Sequence, residues 1–321
     1  MRTELIAALF VAAMFITSAC MVYGGGHEAP SLDATTIEGT ATVDYTMPSW
    51  THPYPSAVVA VTVDHYRSDE VTVLMTGRSG PPNSDPASVQ GLVDHLGAEL
   101  ENIGSSATVT AIGESALGSY LSEGNGTLVI ASEMNVTESI MLENWVKGGG
   151  LLVVIGPECV PFIAQGGSLE IGLGKFTYDG VATEGSLAHS LGLRTVCPVR
   201  GLSVDDVLSR SGVVLGHISA DGGLTTMATF PLGNGRVLAM GGPIEHPFLA
   251  SMEDVYAWDL ARLLETGAPW VSGPIYHERL NVPARGLEGS LNFEIGTKDV
   301  RVSIFSLDDS HSLFKGLTIV P

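Results

Sequence analysis

The sequence predicts an α/β fold, in which a doubly wound and mostly parallel sheet stands beside a small antiparallel β module. The strongest observation is residues 137–156, where an amphipathic helix ends at a glycine run and an unbroken apolar strand follows. Such apolar runs are typical of parallel strands that are buried on both faces. Further strands and helices alternate along residues 71–267, which favours right-handed crossovers and helices on both faces of the sheet.

Capping residues mark the predicted helix boundaries. Asp85 is the expected N-cap of one helix, Pro86 lies in its first turn, and Gly104 ends it. Residues 251–254 resemble a capping box at the start of the last helix. The remaining expectations are strands at residues 71–77, 107–112, 127–131, 151–155 and 236–240, and short helices near 183–192 and 203–210 within an otherwise irregular stretch, 157–212.

Both ends of the chain carry β-rich segments with no helix between their strands. These segments lie in residues 37–64 and 289–305. Chain termini commonly lie close together, so we expect the N- and C-terminal segments to form one small antiparallel β module. The predicted organisation is a leader at residues 1–26, an N-terminal β segment at 27–66, an α/β domain at 67–270 and a C-terminal β segment at 271–321.

The leader contains Arg2 followed by an apolar stretch from Leu5 to Tyr23. Three interpretations are open: a cleaved signal peptide, an uncleaved membrane anchor, and a lipoprotein signal with the lipid on Cys20. Each predicts an extracytoplasmic protein, membrane-anchored or secreted, and the last two make the membrane a partner of the N-terminal segment. The alternative is a buried first helix in a cytoplasmic protein.

The formal net charge of −20 at pH 7 bears on partners. So acidic a surface repels nucleic acid and anionic lipid, and we expect no nucleic-acid partner. The glycine-rich segments match no nucleotide-binding motif, and the acidic residues and histidines lack a recognised metal-ligand spacing, so no cofactor and no metal are predicted. The two sequons that begin at Asn125 and Asn135 are candidate glycosylation sites in an exported protein.

Two motifs carry a resemblance to a known family. One is the helix–glycine–strand segment of residues 145–156, WVKGGGLLVVIG. The other is the hairpin of residues 233–243, GNGRVLAMGGP, which is followed by Glu245, His246 and Pro247. Together they resemble the class I glutamine amidotransferase-like family across residues 71–267. The resemblance implies a flavodoxin-like parallel sheet and a divergent or non-catalytic member.

The resemblance implies a catalytic cysteine on a strand-to-helix turn, activated by a histidine. Cys159 and His246 stand at the corresponding positions, and Glu245 is the carboxylate that completes a triad through an altered geometry. The chain departs from the family at the turn, where the glycine after the cysteine is missing. Two alternatives for Cys159 are a disulfide with Cys197, since an exported protein favours pairing, and a free buried thiol.

A small-molecule ligand of unknown identity is expected at the strand ends. Gly77 and Arg78 open a loop that can hold an anion near a helix start. Glu158 lies in the loop after the strand at 151–155, and loops at the carboxyl ends of parallel strands commonly bind ligands. We therefore expect Gly77, Arg78 and Glu158 to contribute to ligand binding.

These observations lead to three functional hypotheses. The first is a membrane-tethered, non-catalytic domain that binds a ligand or a partner at the cell surface. The second is a hydrolase of an amide or an ester that uses Cys159 and His246. The third is a structural subunit of an envelope complex, with an envelope protein as partner. The state of Cys159 separates the first two, because only the second needs a reactive thiolate.

Overall fold

The chain forms an α/β unit around a seven-stranded sheet, a small three-stranded sheet, and a β module of two further antiparallel sheets. In the part of the chain that the structure describes, no helix is long and apolar enough to cross a membrane, and the leader at 1–26 lies outside that part. The computed structural model describes residues 30–48, 57–63, 69–76, 78, 86–164, 171–173, 187–194, 200–242, 253–271, 275–283, 285–295, 299–306 and 314–320.

The strands and helices are numbered along the chain. The strands are β1 (Ser31–Ile37), β2 (Thr40–Met47), β3 (Ala57–Val63), β4 (Glu70–Met75), β5 (Thr108–Gly113), β6 (Thr127–Ile130), β7 (Leu151–Ile155), β8 (Ile171–Leu173), β9 (Arg200–Ser203), β10 (Val213–Val214), β11 (Leu224–Thr225), β12 (Met227–Leu232), β13 (Gly235–Met240), β14 (Tyr276–Leu280), β15 (Leu287–Glu294), β16 (Val300–Ser306) and β17 (Phe314–Ile319). The helices are α1 (Pro86–Asn102), α2 (Glu114–Ser122), α3 (Val136–Gly148), α4 (Pro161–Ala164), α5 (Leu187–Leu191), α6 (Val204–Ser209) and α7 (Glu253–Thr266).

The seven-stranded sheet has the order β10-β12-β13-β7-β6-β4-β5. Strands β13, β7, β6, β4 and β5 run parallel to one another, β12 is antiparallel to β13, and β10 is antiparallel to β12. Strand β4 is the first of the parallel strands along the chain, and it lies between the second, β5, and the third, β6. The predicted α/β fold with a mostly parallel sheet is therefore confirmed at this level.

Strand β7 shows why the sheet is buried on both faces. All five of its residues are buried. Leu152 and Val154 pack into one apolar cluster, which includes Leu142 of α3. Val153 packs into the other, which includes Leu96 of α1. This alternation across the sheet is the arrangement that the apolar run predicted.

Helix α3 leads into β7 through a tightly packed glycine. Asn135 caps its start, in a capping box with Glu138. At its end, Gly150 lies so close to Trp145 that an added Cβ would be 2.6 Å from three atoms of the indole ring. The indole also donates a hydrogen bond to the carbonyl oxygen of Gly124, at 2.7 Å. The glycine run therefore does more than end the helix, because Gly150 makes room for the tryptophan.

The stretch predicted to be irregular, 157–212, contributes two of the three strands of a small sheet, β8 and β9. Strands β8, β9 and β11 pair antiparallel in the order β11-β9-β8. The two short helices expected in this stretch are present as α5 and α6. These strands are two to four residues long, too short to show a hydrophobic period, so sequence analysis missed them.

The N- and C-terminal segments form the predicted β module. Strands β1, β2 and β15 make one sheet, and β14, β3, β16 and β17 make the other. Side chains of both sheets share one apolar cluster, which includes Val43, Val59 and Val302. Strand β2 pairs with β15 and strand β3 pairs with β16, so each sheet joins the two ends of the chain.

A buried ion pair joins the β module to the α/β unit. Arg301 of β16 donates from Nη2 to the Glu265 Oε2 atom, at 3.1 Å, and from Nε to the Glu265 carbonyl oxygen, at 3.1 Å. Only 4% of the Arg301 side chain and 3% of the Glu265 side chain are exposed. Ser105, which follows α1, donates to the other carboxylate oxygen. The polar groups at this junction therefore satisfy one another.

We expect Gly150→Ala to lower the free energy of unfolding by about 1–3 kcal/mol, because the added methyl group overlaps the Trp145 indole. Gly148→Ala is the matched control, since an added Cβ there meets no atom within 4 Å. Urea unfolding followed by circular dichroism measures both variants. Equal stability of the two would show that the packing of Trp145 on Gly150 does not constrain the turn.

We expect Arg301→Met to cost about 3–5 kcal/mol of unfolding free energy, because it leaves the Glu265 carboxylate buried without its partner. The double variant Arg301→Met with Glu265→Met should recover most of that loss. Arg285→Met, at an exposed arginine, serves as the control. A loss below about 1 kcal/mol for the single variant would mean that the junction behaves as an exposed ion pair.

Candidate functional site

The carboxyl ends of β6, β7 and β13 lie side by side at one edge of the sheet. The Met134 amide donates to the carbonyl oxygen of Cys159, at 2.9 Å, and the Gly156 amide donates to that of Met240, at 2.9 Å. The Arg200 amide donates to the carbonyl oxygen of Gly242, at 2.9 Å. Loops in this position commonly form binding sites in α/β proteins.

Glu158 is the acidic residue at the centre of this edge. It lies in the short 3-10 turn Pro157–Cys159, directly after β7. Its Oε1 atom is 3.4 Å from Nη1 of Arg200. Both carboxylate oxygens are shielded from solvent and accept no hydrogen bond from the described residues. Glu158 therefore combines an ion pair with unused acceptor capacity.

Arg200 reaches this edge because β9 passes close to the end of β13. An added Cβ at Gly241 would lie 2.0 Å from the carbonyl oxygen of Arg200, so only glycine permits the contact. The Tyr256 hydroxyl of α7 donates to the carbonyl oxygen of Gly241, at 2.7 Å. Burial, followed by the charges of Asp259 and Glu158, raises the pKa of Tyr256 well above its ordinary value. Tyr256 is therefore a neutral hydrogen-bond donor.

Ser132 is a second polar group whose hydrogen-bonding capacity is unused. It follows β6, and only 1% of its surface is exposed. Its hydroxyl oxygen has no hydrogen-bond partner among the described residues. Most buried polar groups in proteins are paired, so an exception marks a candidate functional position.

Cys159 does not have the properties of a nucleophile. It is a free thiol with 7% of its surface exposed. Burial and the nearby charges of Glu158 and Glu133 raise its pKa to about 12, although Arg200 opposes the shift. The thiol is therefore protonated at physiological pH, and a thiolate mechanism does not fit this environment.

The partners that the sequence assigned to Cys159 lie outside the described residues. These are His246 and Glu245 of the predicted triad and Cys197 of the predicted disulfide. The free thiol of Cys159 does not fit that disulfide. Gly77, one of the predicted ligand-binding residues, also lies outside the described part.

Arg78 is held in an ion-pair cluster at the end of β4. Its Nη1 atom is 2.5 Å from Glu138 Oε2, and its Nη2 atom is 2.9 Å from Glu138 Oε1 and 3.2 Å from Glu114 Oε2. The hydrogen bonds with Glu138 raise the pKa of Arg78 and lower the pKa of Glu138. The cluster ties the loop after β4 to the first turns of α2 and α3, and it leaves the guanidinium poorly available to an anion.

Both predicted glycosylation sites lie on the surface. The Asn135 side-chain oxygen accepts a hydrogen bond from the Glu138 amide, at 2.9 Å, as the N-cap of α3. The Asn125 side-chain nitrogen lies against Gly149, where an added Cβ would be 2.6 Å away. Modification of either asparagine stays a prediction. Among the described residues, no three His, Cys, Asp or Glu side chains are grouped to hold a metal ion.

Sequence analysis did not single out Ser132, Arg200 or Tyr256. The signal for Ser132 was its position, because it follows the predicted strand 127–131 just as Glu158 follows 151–155. Arg200 gave no such signal, since its short strand lies in the stretch predicted to be irregular. Tyr256 lies in the predicted last helix, but its contact with Gly241 depends on the folded arrangement.

The chain matches no family model and no curated protein. Among solved structures it is similar to an exo-β-1,4-mannosidase from Opitutaceae bacterium strain TAV5, at 15% identity and a TM-score of 0.35 over 62% of this chain and 34% of the other. It is also similar to a β-galactosidase from Bacillus circulans sp. alkalophilus, at 15% identity and a TM-score of 0.34 over 79% and 40%. A GH42 β-galactosidase from G. stearothermophilus has 8% identity and a TM-score of 0.35 over 80% and 39%.

These comparisons correct the family and the function expected from the sequence. The structures are glycoside hydrolases, and this chain spans two-fifths or less of their length, 34% to 40%. The assignment to the class I glutamine amidotransferase-like family is therefore withdrawn. The role as a non-catalytic amidotransferase-like binding domain was inferred from that assignment and is withdrawn with it, while the location and the membrane attachment are untested. The similarity is too low to carry a substrate over to this chain.

We expect Cys159 to resist alkylation in the folded protein. A pKa of about 12 leaves about one thiol in 10⁴ ionised at pH 8, and the thiolate is the reactive form. Peptide-resolved mass spectrometry after iodoacetamide treatment measures this, with urea-unfolded protein as the control. Rapid labelling of Cys159 in the folded protein at pH 8 would contradict the assignment of a neutral, buried thiol.

Proposed function

We propose that this protein is a hydrolase that uses Glu158 as its acid–base residue at the carboxyl edge of the sheet. One observation carries the proposal: both oxygens of the Glu158 carboxylate are shielded from solvent and accept no hydrogen bond from the described residues. A shielded carboxylate with free lone pairs is suited to take a proton from a bound reactant. The strand order supports the placement of the site.

The strand order favours the doubly wound, flavodoxin-like arrangement predicted from the sequence. Strand β4 lies between β5 and β6. The chain passes from β4 to β5 on one side and then continues through β6, β7 and β13 on the other side, so the direction of winding reverses beside β4. Ligands in such sheets bind beyond the carboxyl ends of the strands. Arg78, Glu114 and Glu138 occupy the end of β4 with ion pairs, so we place the substrate farther along the edge, beside Glu158.

The chemistry assigned to Glu158 follows from the neighbouring groups. The Cys159 thiol is protonated, so a water molecule is the reactant that the carboxylate activates in this proposal. Glu158 accepts a proton from the water molecule as the water oxygen attacks the substrate. The resulting carboxylic acid then donates that proton to the leaving group as the scissile bond breaks. Arg200, 3.4 Å from Glu158, stabilises the negative charge that develops during the attack.

A chromogenic substrate panel tests this function. The panel contains p-nitrophenyl β-galactoside and β-mannoside, p-nitrophenyl acetate, and the p-nitroanilides of leucine and N-acetyl-leucine. We expect turnover of at least one member, and we expect Glu158→Gln to lower its kcat/KM about 10²–10⁴-fold, because general acid–base catalysis contributes that much. The glutamine keeps the size of the side chain and removes its ability to accept a proton.

Glu101→Gln is the matched control, since Glu101 lies exposed on α1 and should leave kcat/KM unchanged. Circular dichroism and urea unfolding establish that the Glu158→Gln protein is folded. Absence of turnover across the panel, or a Glu158→Gln enzyme as active as the parent, would reject the proposed function. The extracytoplasmic location and membrane attachment through residues 1–26 stay predictions that this experiment leaves untouched.

A further inference from the structure

Strand β5 forms an open edge of the seven-stranded sheet. It pairs with β4 along all six of its residues, and no other strand of the described residues pairs with its far side. None of its residues is buried, and Thr108, Ala111 and Gly113 are exposed. Strands β4 and β6 lie between β5 and β7, the strand that leads to Glu158. The open side of β5 is therefore a different surface from the proposed hydrolytic site.

The backbone of β5 carries hydrogen-bonding groups that face outward. The Thr108 amide donates to the carbonyl oxygen of Asp69, at 2.9 Å, so the backbone groups of Thr108 face β4. Alternate residues of a paired strand turn their backbone groups to opposite sides. The N–H and C=O groups of Val109 and Ala111 therefore point away from the sheet. An extended segment that lies along β5 can pair with them, as in β-strand addition.

Strand β5 lacks the features that usually protect an edge strand. Its sequence, TVTAIG, contains no proline and no charged residue, and its register with β4 is continuous, without a bulge. Natural edge strands commonly carry lysine, proline or a bulge, each of which discourages further pairing. Most residues of β5 are also β-branched, and such residues pack well against a neighbouring strand. The edge is therefore suited to the addition of a strand.

The charge around β5 decides which segment fits. Residues 69–76 and 86–123, which include β4, α1 and β5, contain seven acidic residues and neither lysine nor arginine. Glu70 of β4 is exposed, and its Oε1 atom accepts a hydrogen bond from the Thr110 hydroxyl, at 3.0 Å. This carboxylate therefore lies beside β5, on the face of Thr110. Opposite charges steer a partner to such a surface, and like charges repel one. A second copy of this chain, with its net charge of −20, is disfavoured.

We propose that β5 binds an extended basic segment of another protein, which joins the sheet as an additional strand. The backbone of this segment pairs with Val109 and Ala111. A lysine or arginine of the segment, on the face of Thr110, forms an ion pair with Glu70. Neighbouring strands lie about 4.8 Å apart, so a long basic side chain reaches across Thr110 to that carboxylate. Binding at β5 needs nothing from Glu158, so it stands or fails independently of hydrolysis.

A short peptide, acetyl-KVTVKVT-amide, is the probe. Its lysines and threonines share one face when it is extended. We expect saturable binding with a Kd on the order of 0.1 mM, measured by fluorescence anisotropy of the labelled peptide, because a flexible peptide loses entropy on binding. The charge-reversed peptide acetyl-EVTVEVT-amide should bind at least tenfold more weakly.

Hydrogen exchange measured by NMR locates the bound peptide. Saturating acetyl-KVTVKVT-amide should slow exchange of the Val109 and Ala111 amides at least tenfold, because these amides become hydrogen-bonded. The Thr110 amide faces β4, so its exchange should change much less. Protection of Thr110 alone, or protection outside β5, would contradict the proposed pairing.

Two variants with matched controls assign the binding to this edge. Ala111→Pro removes an outward N–H and should weaken peptide binding at least tenfold, whereas Ala111→Ser keeps the N–H and should leave binding unchanged. Proline is tolerated where its missing N–H faces away from the sheet, and circular dichroism establishes that the variant is folded. Glu70→Gln should weaken binding several-fold. Its control is Glu294→Gln, at an exposed glutamate of β15.

Four outcomes would overturn the proposal. The first is the absence of saturable binding of acetyl-KVTVKVT-amide, and the second is equal binding of the two peptides. The third is peptide binding that survives Ala111→Pro. The fourth is a concentration-dependent dimer, detected by sedimentation and abolished by Ala111→Pro, because the edge would then pair with a second copy of the chain.

Discussion

Burial of β7 on both faces is the constraint on which the rest of the structure depends. A strand that exposes no residue to solvent needs helices on both sides and paired strands at both edges. Strands β6 and β13 supply the pairing, and α3 reaches the strand through the contact of Gly150 with Trp145. The chain leaving β7 therefore emerges among neighbouring loops, and Glu158 follows within three residues of the strand end.

That position explains how a carboxylate becomes shielded without being satisfied. The Met134 amide after β6 donates to the carbonyl oxygen of Cys159, and the Gly156 amide donates to that of Met240 at the end of β13. These backbone amides are therefore not available as donors to the Glu158 carboxylate. By contrast, Glu265 is more deeply buried, yet it is matched by Arg301 and Ser105. The difference between the two glutamates separates a structural carboxylate from a candidate functional one.

Periodicity and capping predicted the parallel strands, the long helices and the β module, because each depends on contacts that repeat along the chain. The same reasoning placed Glu158 at a strand end. It could not place Arg200, whose four-residue strand is too short to show a period, or predict that the guanidinium of Arg78 would be occupied by Glu138. It also could not predict the packing at Gly150, because a close approach to Trp145 leaves no pattern in the sequence. The role assigned to Cys159 came from a resemblance, and burial, followed by the charges of Glu158 and Glu133, raises the pKa of its thiol and so disfavours the thiolate.

The account as a whole depends on Glu158 acting as the acid–base residue at the carboxyl edge of the sheet. The most direct measurement is chemical rescue of Glu158→Ala by sodium formate, whose carboxylate can take over the proton transfer. The account predicts that formate restores turnover to Glu158→Ala and leaves the parent protein and Glu101→Ala unchanged. A Glu158→Ala protein that is as active as the parent, or that formate does not rescue, would contradict it.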